Sequence, residues 1–204
     1  MNIGKRTAGV LCLLMILLSG CGQTELPEGK ETCIFLQKGG SLTYTLVDDF
    51  DKEYYNVYEL ADMAKRETVE FNQRFYDEVS GNAVTVEEVK LLEDDSTKVS
   101  LQYRFVNGKS FAEFTESTFF YGTVAQAYES GYSLKGKMTS VKGDKTLSDI
   151  ELKQLSKRSL VITDLRLPIY SAVTPDYVSE GVMVLEDGTI DPSNSQGLVF
   201  ILLK

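Results

Sequence analysis

"LTYTLVDDFDKEYYNVYELADMAKRETVEFNQRF", residues 42–75, changes its period halfway along. In the first part Leu42, Tyr44 and Leu46 alternate with Ser41, Thr43 and Thr45, the repeat of a strand with one buried face. In the second part Val57, Leu60, Ala61, Ala64, Thr68, Phe71 and Phe75 recur at steps of three and four, which places them on one stripe of a helix. Asn56 with Glu59 three residues later gives a capping-box-like start. Asp62–Arg66 and Glu70–Arg74 stand at i,i+4 spacing for ion pairs, and Gly81-Asn82 marks a helix end.

Working outward, "TCIFLQ" (32–37) reads as the strand that pairs with 42–49 around Gly39-Gly40, because glycine permits positive φ at both central turn positions. On the other side lies a second hairpin. Val84, Val86, Val89 and Leu91 lead to the turn Asp94-Asp95-Ser96, after which Val99, Leu101, Tyr103 and Phe105 alternate. Ser110 with Glu113 and Thr123 with Gln126 form capping boxes that open two short helices, with "STFFYG" (117–122) as a strand between them and Gly131 as the second stop. Residues 133–149 carry the weakest pattern. Strand runs return at 159–165, 169–173 and 181–185. The closing "GLVFILLK" (197–204) holds six apolar residues in a row, which predicts a strand covered on both faces at the middle of a sheet. Strands and helices in this order predict an α+β fold: an antiparallel or mixed sheet with one long amphipathic helix and two short helices. A single domain over 32–204 is expected, with a division near 132–148 as the weaker alternative.

The chain has 204 residues, 43% hydrophobic and 25% charged, an ordinary globular composition. Its net charge is −9, from 21 basic and 30 acidic side chains, so phosphate backbones are repelled and no nucleic-acid partner is expected. There is no His, which removes Ser-His and Cys-His catalysis and the commonest metal ligand. There is no Trp, so any stacking role falls to Tyr and Phe.

The amino terminus is a separate unit. Lys5 and Arg6 precede an apolar run from Ala8 to Leu18. Eleven helical residues span about 16 Å, half a bilayer core, so the run fits a signal-peptide apolar region rather than a stable span. Leu18-Ser19-Gly20-Cys21 resembles the lipobox of bacterial lipoproteins, in which the cysteine sulfur is diacylated and the chain is cut just before it. The resemblance implies a signal peptide over 1–20, lipidation at Cys21, and an extracytoplasmic domain anchored to the outer face of the bacterial cell membrane. Two or three acyl chains at about 0.8 kcal/mol per buried CH₂ make such anchoring effectively permanent. Cleavage would leave 19 basic and 30 acidic side chains, a net charge of −11, and Cys33 as the sole free thiol, read as a small apolar core residue. Residues 22–31 are polar with Pro and Gly and no periodicity, the signature of a short linker.

Several segments together resemble a family of clostridial (Bacillota) cell-envelope lipoproteins: "VDDFDKEYYNVYELADM" (47–63), "EFN" (70–72), "TFFYGTVAQAYESGY" (118–132), "VSEGVMVLEDGTI" (178–190) and the apolar terminal strand ending in Lys204. The likeness runs along nearly the whole chain. It implies an anchored α+β lipoprotein, and since no activity is assigned to the family it transfers no catalytic residue.

Candidate chemistry is sparse. Asp48, Asp49, Asp51 and Glu53 resemble the start of a calcium loop, but an EF-hand beginning at Asp49 would need Gly at 54 and Glu at 60, where Tyr54 and Leu60 stand. No metal site and no cofactor are expected. No Ser-x-x-Lys motif, phosphate-binding glycine loop or distinguished carboxylate pair is present. Two tyrosine clusters offer an apolar body with a polar tip, suited to peptide or glycan recognition: Tyr54, Tyr55 and Tyr58, and Tyr121, Tyr128 and Tyr132. Core packing is the competing reading of both. The sequence therefore points to a non-enzymatic binding or scaffolding module at the envelope, with a carboxylate-dependent envelope hydrolase and a small solute- or peptide-binding lipoprotein as alternatives.

Overall fold

A computed structural model describes residues 27–75, 81–134 and 138–204. Helices and sheets are mixed, with sheet predominating: four helices and two sheets among the described residues, not one sheet with three helices. The first hairpin, β1 (Cys33–Leu36) and β2 (Leu42–Asp49), turns through Gly39 and Gly40 at φ 89° and 97°, values that a side chain would strain. The second is β3 (Val84–Leu91) and β4 (Lys98–Phe105). With β8 (Ile169–Ser171), β10 (Met183–Val184) and β11 (Ile190–Asp191) these strands form a seven-stranded sheet in the order β10-β11-β8-β1-β2-β4-β3. Its pairs are antiparallel except β1 with β8. The second sheet, all antiparallel, runs β5-β7-β12-β9-β6, from β5 (Phe119–Thr123), β6 (Met138–Ser140), β7 (Ser159–Thr163), β9 (Pro175–Ser179) and β12 (Val199–Leu203).

Register explains how the sheets meet. Opposed residues share a face, so Leu42, Phe105 and Val84 make one row, Tyr44, Tyr103 and Val86 the next, and Leu46, Leu101 and Val89 a third. On this apolar face sit α1 (Val57–Phe75) and α2 (Gly108–Thr115), and it shares one core with Val161, Val199, Ile201 and Leu203 of the second sheet. Phe111 of α2, fully buried, is the wedge: its ring lies 5.5 Å from Tyr44, 5.2 Å from Phe105 and 4.7 Å from Phe119, each edge to face. The reverse face of the second sheet carries a smaller core closed by α3 (Val124–Glu129) and α4 (Asp149–Gln154), including Val124, Ala127, Leu152 and Leu160. Strand β12 is the middle strand of its sheet, with Ile201 facing the large core and Leu202 the small one. Arg158 secures its end, donating from Nε to the Leu203 carbonyl at 2.7 Å while Nη1 meets Asp176 at 2.7 Å.

Local expectations needed correction where tertiary contacts intervened. The cap of α2 is Asn107, whose Oδ1 accepts from the Ser110 amide at 2.8 Å, so the helix starts ahead of Ser110. The Thr123–Gln126 capping box is complete, and Tyr132 N–H to Ala127 O with Gly131 N–H to Tyr128 O closes α3 in a Schellman motif. The third short helix, α4, opens with a Ser148–Glu151 capping box, a signal present in the weakly patterned stretch but not read there. Neither Asp62–Arg66 nor Glu70–Arg74 pairs among the described residues; Arg74 instead lies over the Phe71 ring at 5.8 Å. Along α1 only Ala64, Thr68 and Phe71 are buried, whereas Val57, Leu60, Ala61 and Phe75 are half-buried. The helix end expected near Gly81 falls partly outside the described residues. On β2 the alternation is blurred, since Thr43 and Thr45 are buried on the other face while Leu46 is exposed.

That other face is covered in part by the segment preceding β1. Gly29 is buried, and a Cβ there would meet Gln102 Nε2 at 2.9 Å and Ser100 Oγ at 3.0 Å. Glu31 accepts from the Tyr170 hydroxyl, and Thr32 Oγ1 accepts from the Val47 amide at 2.9 Å. From Gly29 onward this stretch is a strap on the sheet. No helix among the described residues is long and apolar enough to cross a membrane.

Two measurements check this account. Phe111→Ala should cost about 3–5 kcal/mol of unfolding free energy in urea, whereas Ile150→Ala, 71% exposed, should stay within about 0.5. Alkaline pH should also unfold the domain. Burial pushes the Cys33 thiol from its usual 9.0 up to about 11, and burial with the Glu31 hydrogen bond pushes Tyr170 from 10.0 up to about 12. Burial, then the Glu67 carboxylate, raises Tyr103 as well. Each folded value exceeds the unfolded one, so this stabilisation is complete below the unfolded pKa and is lost as pH climbs through the folded one. The urea midpoint should hold to about pH 8 and fall above about pH 9, less steeply in the Cys33→Ala, Tyr103→Phe variant.

Candidate functional site

Helices α1 and α2 do not cover the whole apolar face. The rows at Leu42 and Tyr44 are packed by Phe71, Phe111 and Phe114, but the rows beyond them, Leu46 with Leu101 and Asp48 with Val99, lie under the half-buried first turns of α1. The result is an open groove of about 440 Å³. Leu46, Val99 and Leu101 line it from the sheet, Leu60 and Met63 from the helix, and Phe50, Tyr54 and Tyr55 from the connecting loop.

The loop is anchored by its own hydrogen bonds. Phe50 N–H donates to the Thr97 carbonyl at the turn end of the second hairpin, and Tyr55 N–H donates to the Lys52 carbonyl at 2.9 Å, forming a tight turn. Asn56 caps α1, its Oδ1 accepting from Tyr58 N–H at 2.9 Å and Glu59 N–H at 3.3 Å. The rings then run outward, Phe50 tilted against Tyr55 at 4.8 Å and Tyr55 edge to face with Tyr54 at 5.0 Å, and Tyr54 stands 77% exposed at the lip.

The lip is acidic. Asp48, Asp49 and Glu59 border the groove. Lys98 Nζ lies 2.9 Å from Asp49, whose hydrogen bond and charge raise the lysine's pKa. Asp48 and Glu59 have no cationic partner within salt-bridge distance among the described residues. Asp48 also occupies the last inward position of the Leu42–Tyr44–Leu46 series, so a carboxylate closes the end of the apolar face. Among the described residues no three acidic or thiol side chains converge as a metal site would require.

The two tyrosine clusters part company. Tyr54 and Tyr55 line the groove, and Tyr58, 80% exposed, stands on the first turn of α1 beside it. Tyr121 is half-buried with its hydroxyl donating to the Gln37 carbonyl at 2.9 Å, which ties the two sheets together, and burial raises its pKa. Tyr128 has Lys153 Nζ 5.9 Å from its ring centroid, and Tyr132 lies against Phe120 at 5.4 Å, both on the small core. Cys21 lies outside the described residues. Sequence reading missed the sheet and helix walls of the groove, because Leu46 and Leu60 were assigned to buried faces. The available signal was Asp48 on the inward series of β2, which marks where the covered surface stops.

Comparison with known proteins finds no matching family model, no matching curated protein and no matching solved structure.

An open groove has a chemical consequence. Met63, 57% exposed, should form its sulfoxide readily in dilute peroxide, while Met138, buried in the small core, should stay reduced until the domain unfolds. Peptide mass spectrometry after timed exposure measures both rates.

Proposed function

We propose that this protein is a lipid-anchored, extracytoplasmic binding module of the bacterial cell envelope, acting without catalysis, and that the groove beside α1 is its ligand site. The observation that carries the binding role is the set of aromatic and aliphatic side chains left open between Leu46 and Met63 under an acidic lip. Exposed apolar surface costs free energy in water, so a contiguous patch of it with a polar rim marks an interaction site. In this reading α1 is the long amphipathic helix that the sequence suggested, with Phe71 packed inward and Tyr58 and Met63 offered to a partner.

The anchor rests on Leu18-Ser19-Gly20-Cys21 and on the likeness to clostridial lipoproteins. The strap supports a close tether: counting from Cys21, only residues 22–28 precede the stretch that lies on the seven-stranded sheet. Seven residues reach at most about 25 Å, which would keep the domain, and with it the groove, close to the membrane. The partner is then a protein, peptide or glycan met at the envelope surface, and nucleic acid is disfavoured by the net charge of −9.

The anchor is tested in cells fed a labelled fatty acid. The native chain should carry label and sediment with membranes, and Cys21→Ala should lose label and remain uncleaved at residue 20. Label retained by Cys21→Ala would overturn the lipidation reading.

A further inference from the structure

We propose that the groove's ligand is a cationic amphipathic peptide segment, one that sets a Lys or Arg beside an aliphatic or aromatic side chain; this rests on the groove being the binding site. The groove presents two demands side by side. Leu46, Tyr55 and Met63 form an exposed apolar surface, with the buried Val99 and Leu101 as its floor, that an aliphatic or aromatic side chain can cover. Asp48 and Glu59 at the lip form no salt bridge among the described residues, Lys98, whose pKa the Asp48 charge also raises, being paired with Asp49, and the Tyr54 ring beside them is open for a cation to lie over. A ligand that satisfies one demand and not the other leaves either a hydrophobic surface wet or two carboxylates unmatched.

Other occupants fit less well. Phosphate-bearing ligands and anionic lipid head groups meet carboxylates at the rim. A second copy of this chain brings its own net charge of −9 against the same acidic lip, and like-charge juxtaposition opposes association. A neutral glycan could stack on Tyr54 but would bury its hydroxyls against Leu46, Val99 and Leu101, which offer no side-chain hydrogen bonds. Charge complementarity and apolar area agree only on the cationic amphipathic peptide.

The test uses the full chain, expressed in a bacterial host and held in zwitterionic nanodiscs, with four synthetic decapeptides that each carry one photoreactive benzophenone and a fluorophore. One alternates Lys with Leu and Phe; one replaces every Lys by Gln; one replaces them by Glu; one keeps Lys but replaces Leu and Phe by Ser. Anisotropy gives affinity, and mass spectrometry of the photo-adducts gives the place of binding. The Lys/Leu/Phe peptide should bind tightest and cross-link at Leu46, Tyr54 or Met63, with affinity falling as salt rises. Asp48→Asn and Glu59→Gln should each weaken it about threefold and together about tenfold, while binding of the Gln peptide stays unchanged. Met63→Ser, at an exposed position, removes apolar surface without adding charge and should weaken the Lys/Leu/Phe and Gln peptides alike. Equal binding of the Lys and Gln peptides in the groove would overturn the cationic assignment and leave the groove as a binding site. Tighter binding of the Glu peptide, or displacement of the Lys peptide by a neutral chito-oligosaccharide, would overturn it in favour of another ligand class. Absence of groove adducts from all four peptides would sink both the assignment and the site. Urea midpoints of each variant, matched to the parent, separate lost binding from lost folding.

Discussion

The fold turns on one aromatic side chain and the rings around it. Phe111 fills the space where α2, the seven-stranded sheet and β5 meet, and every one of its ring neighbours comes from a different strand. A sheet with one apolar face must bury that face, and neither sheet can do so alone. The rings of Phe75, Phe71, Phe114, Phe105 and Phe111 run from α1 through α2 to Phe119 on the second sheet, so helix position and sheet packing are set by one continuous contact. Edge-to-face pairs add about 0.5–1.5 kcal/mol each beyond their buried area, enough to fix geometry as well as to stabilise it.

The groove follows from that geometry. Phe71 and Phe75 hold the C-terminal half of α1 over the first rows of the sheet, and Asn56 with Phe50 fixes where the helix begins. Between these two anchors Leu101 and Val99 are buried, while Leu46 on the strand and Met63 on the helix stay exposed at the margin. The same acids that terminate the apolar face, Asp48 on the strand and Glu59 on the helix, then lie at the lip of the opening. A binding surface thus arises where the core runs out of side chains, and its charge is the charge that normally marks a core's edge.

Two features hold the remaining architecture in one piece. Strand β12 sits between β7 and β9, so the second sheet closes through pairings that are non-local in sequence. Arg158 makes that closure specific by satisfying the Leu203 carbonyl and Asp176 together. At the other end, the strap lies over Ser100 and Gln102 on the polar face of the first sheet. The cover is close enough that Ser100 Oγ is buried with no hydrogen-bond partner among the described residues, a local cost the sheet carries.

Much of the fold was legible because it is written in local periods. The two hairpins, the helix from Val57, the Thr123–Gln126 cap and the unalternating terminal strand all depend on residues within a few positions of one another, and each forms where its pattern lies. Strand β9 escaped notice because it opens with Pro175, a residue allowed at the first position of a strand yet suggestive of a loop, and β6 lies in the stretch without pattern. Tyr54 and Tyr55 could be singled out as candidates from sequence, but nothing local distinguishes them from Tyr121, whose hydroxyl ties the two sheets together. What only tertiary structure decided is the number of sheets, the partner of each apolar face, and the gap above Leu46. An alternating strand states that one face is apolar; how far a helix extends across that face depends on the anchoring rings beneath it, which come from strands and helices far away in sequence.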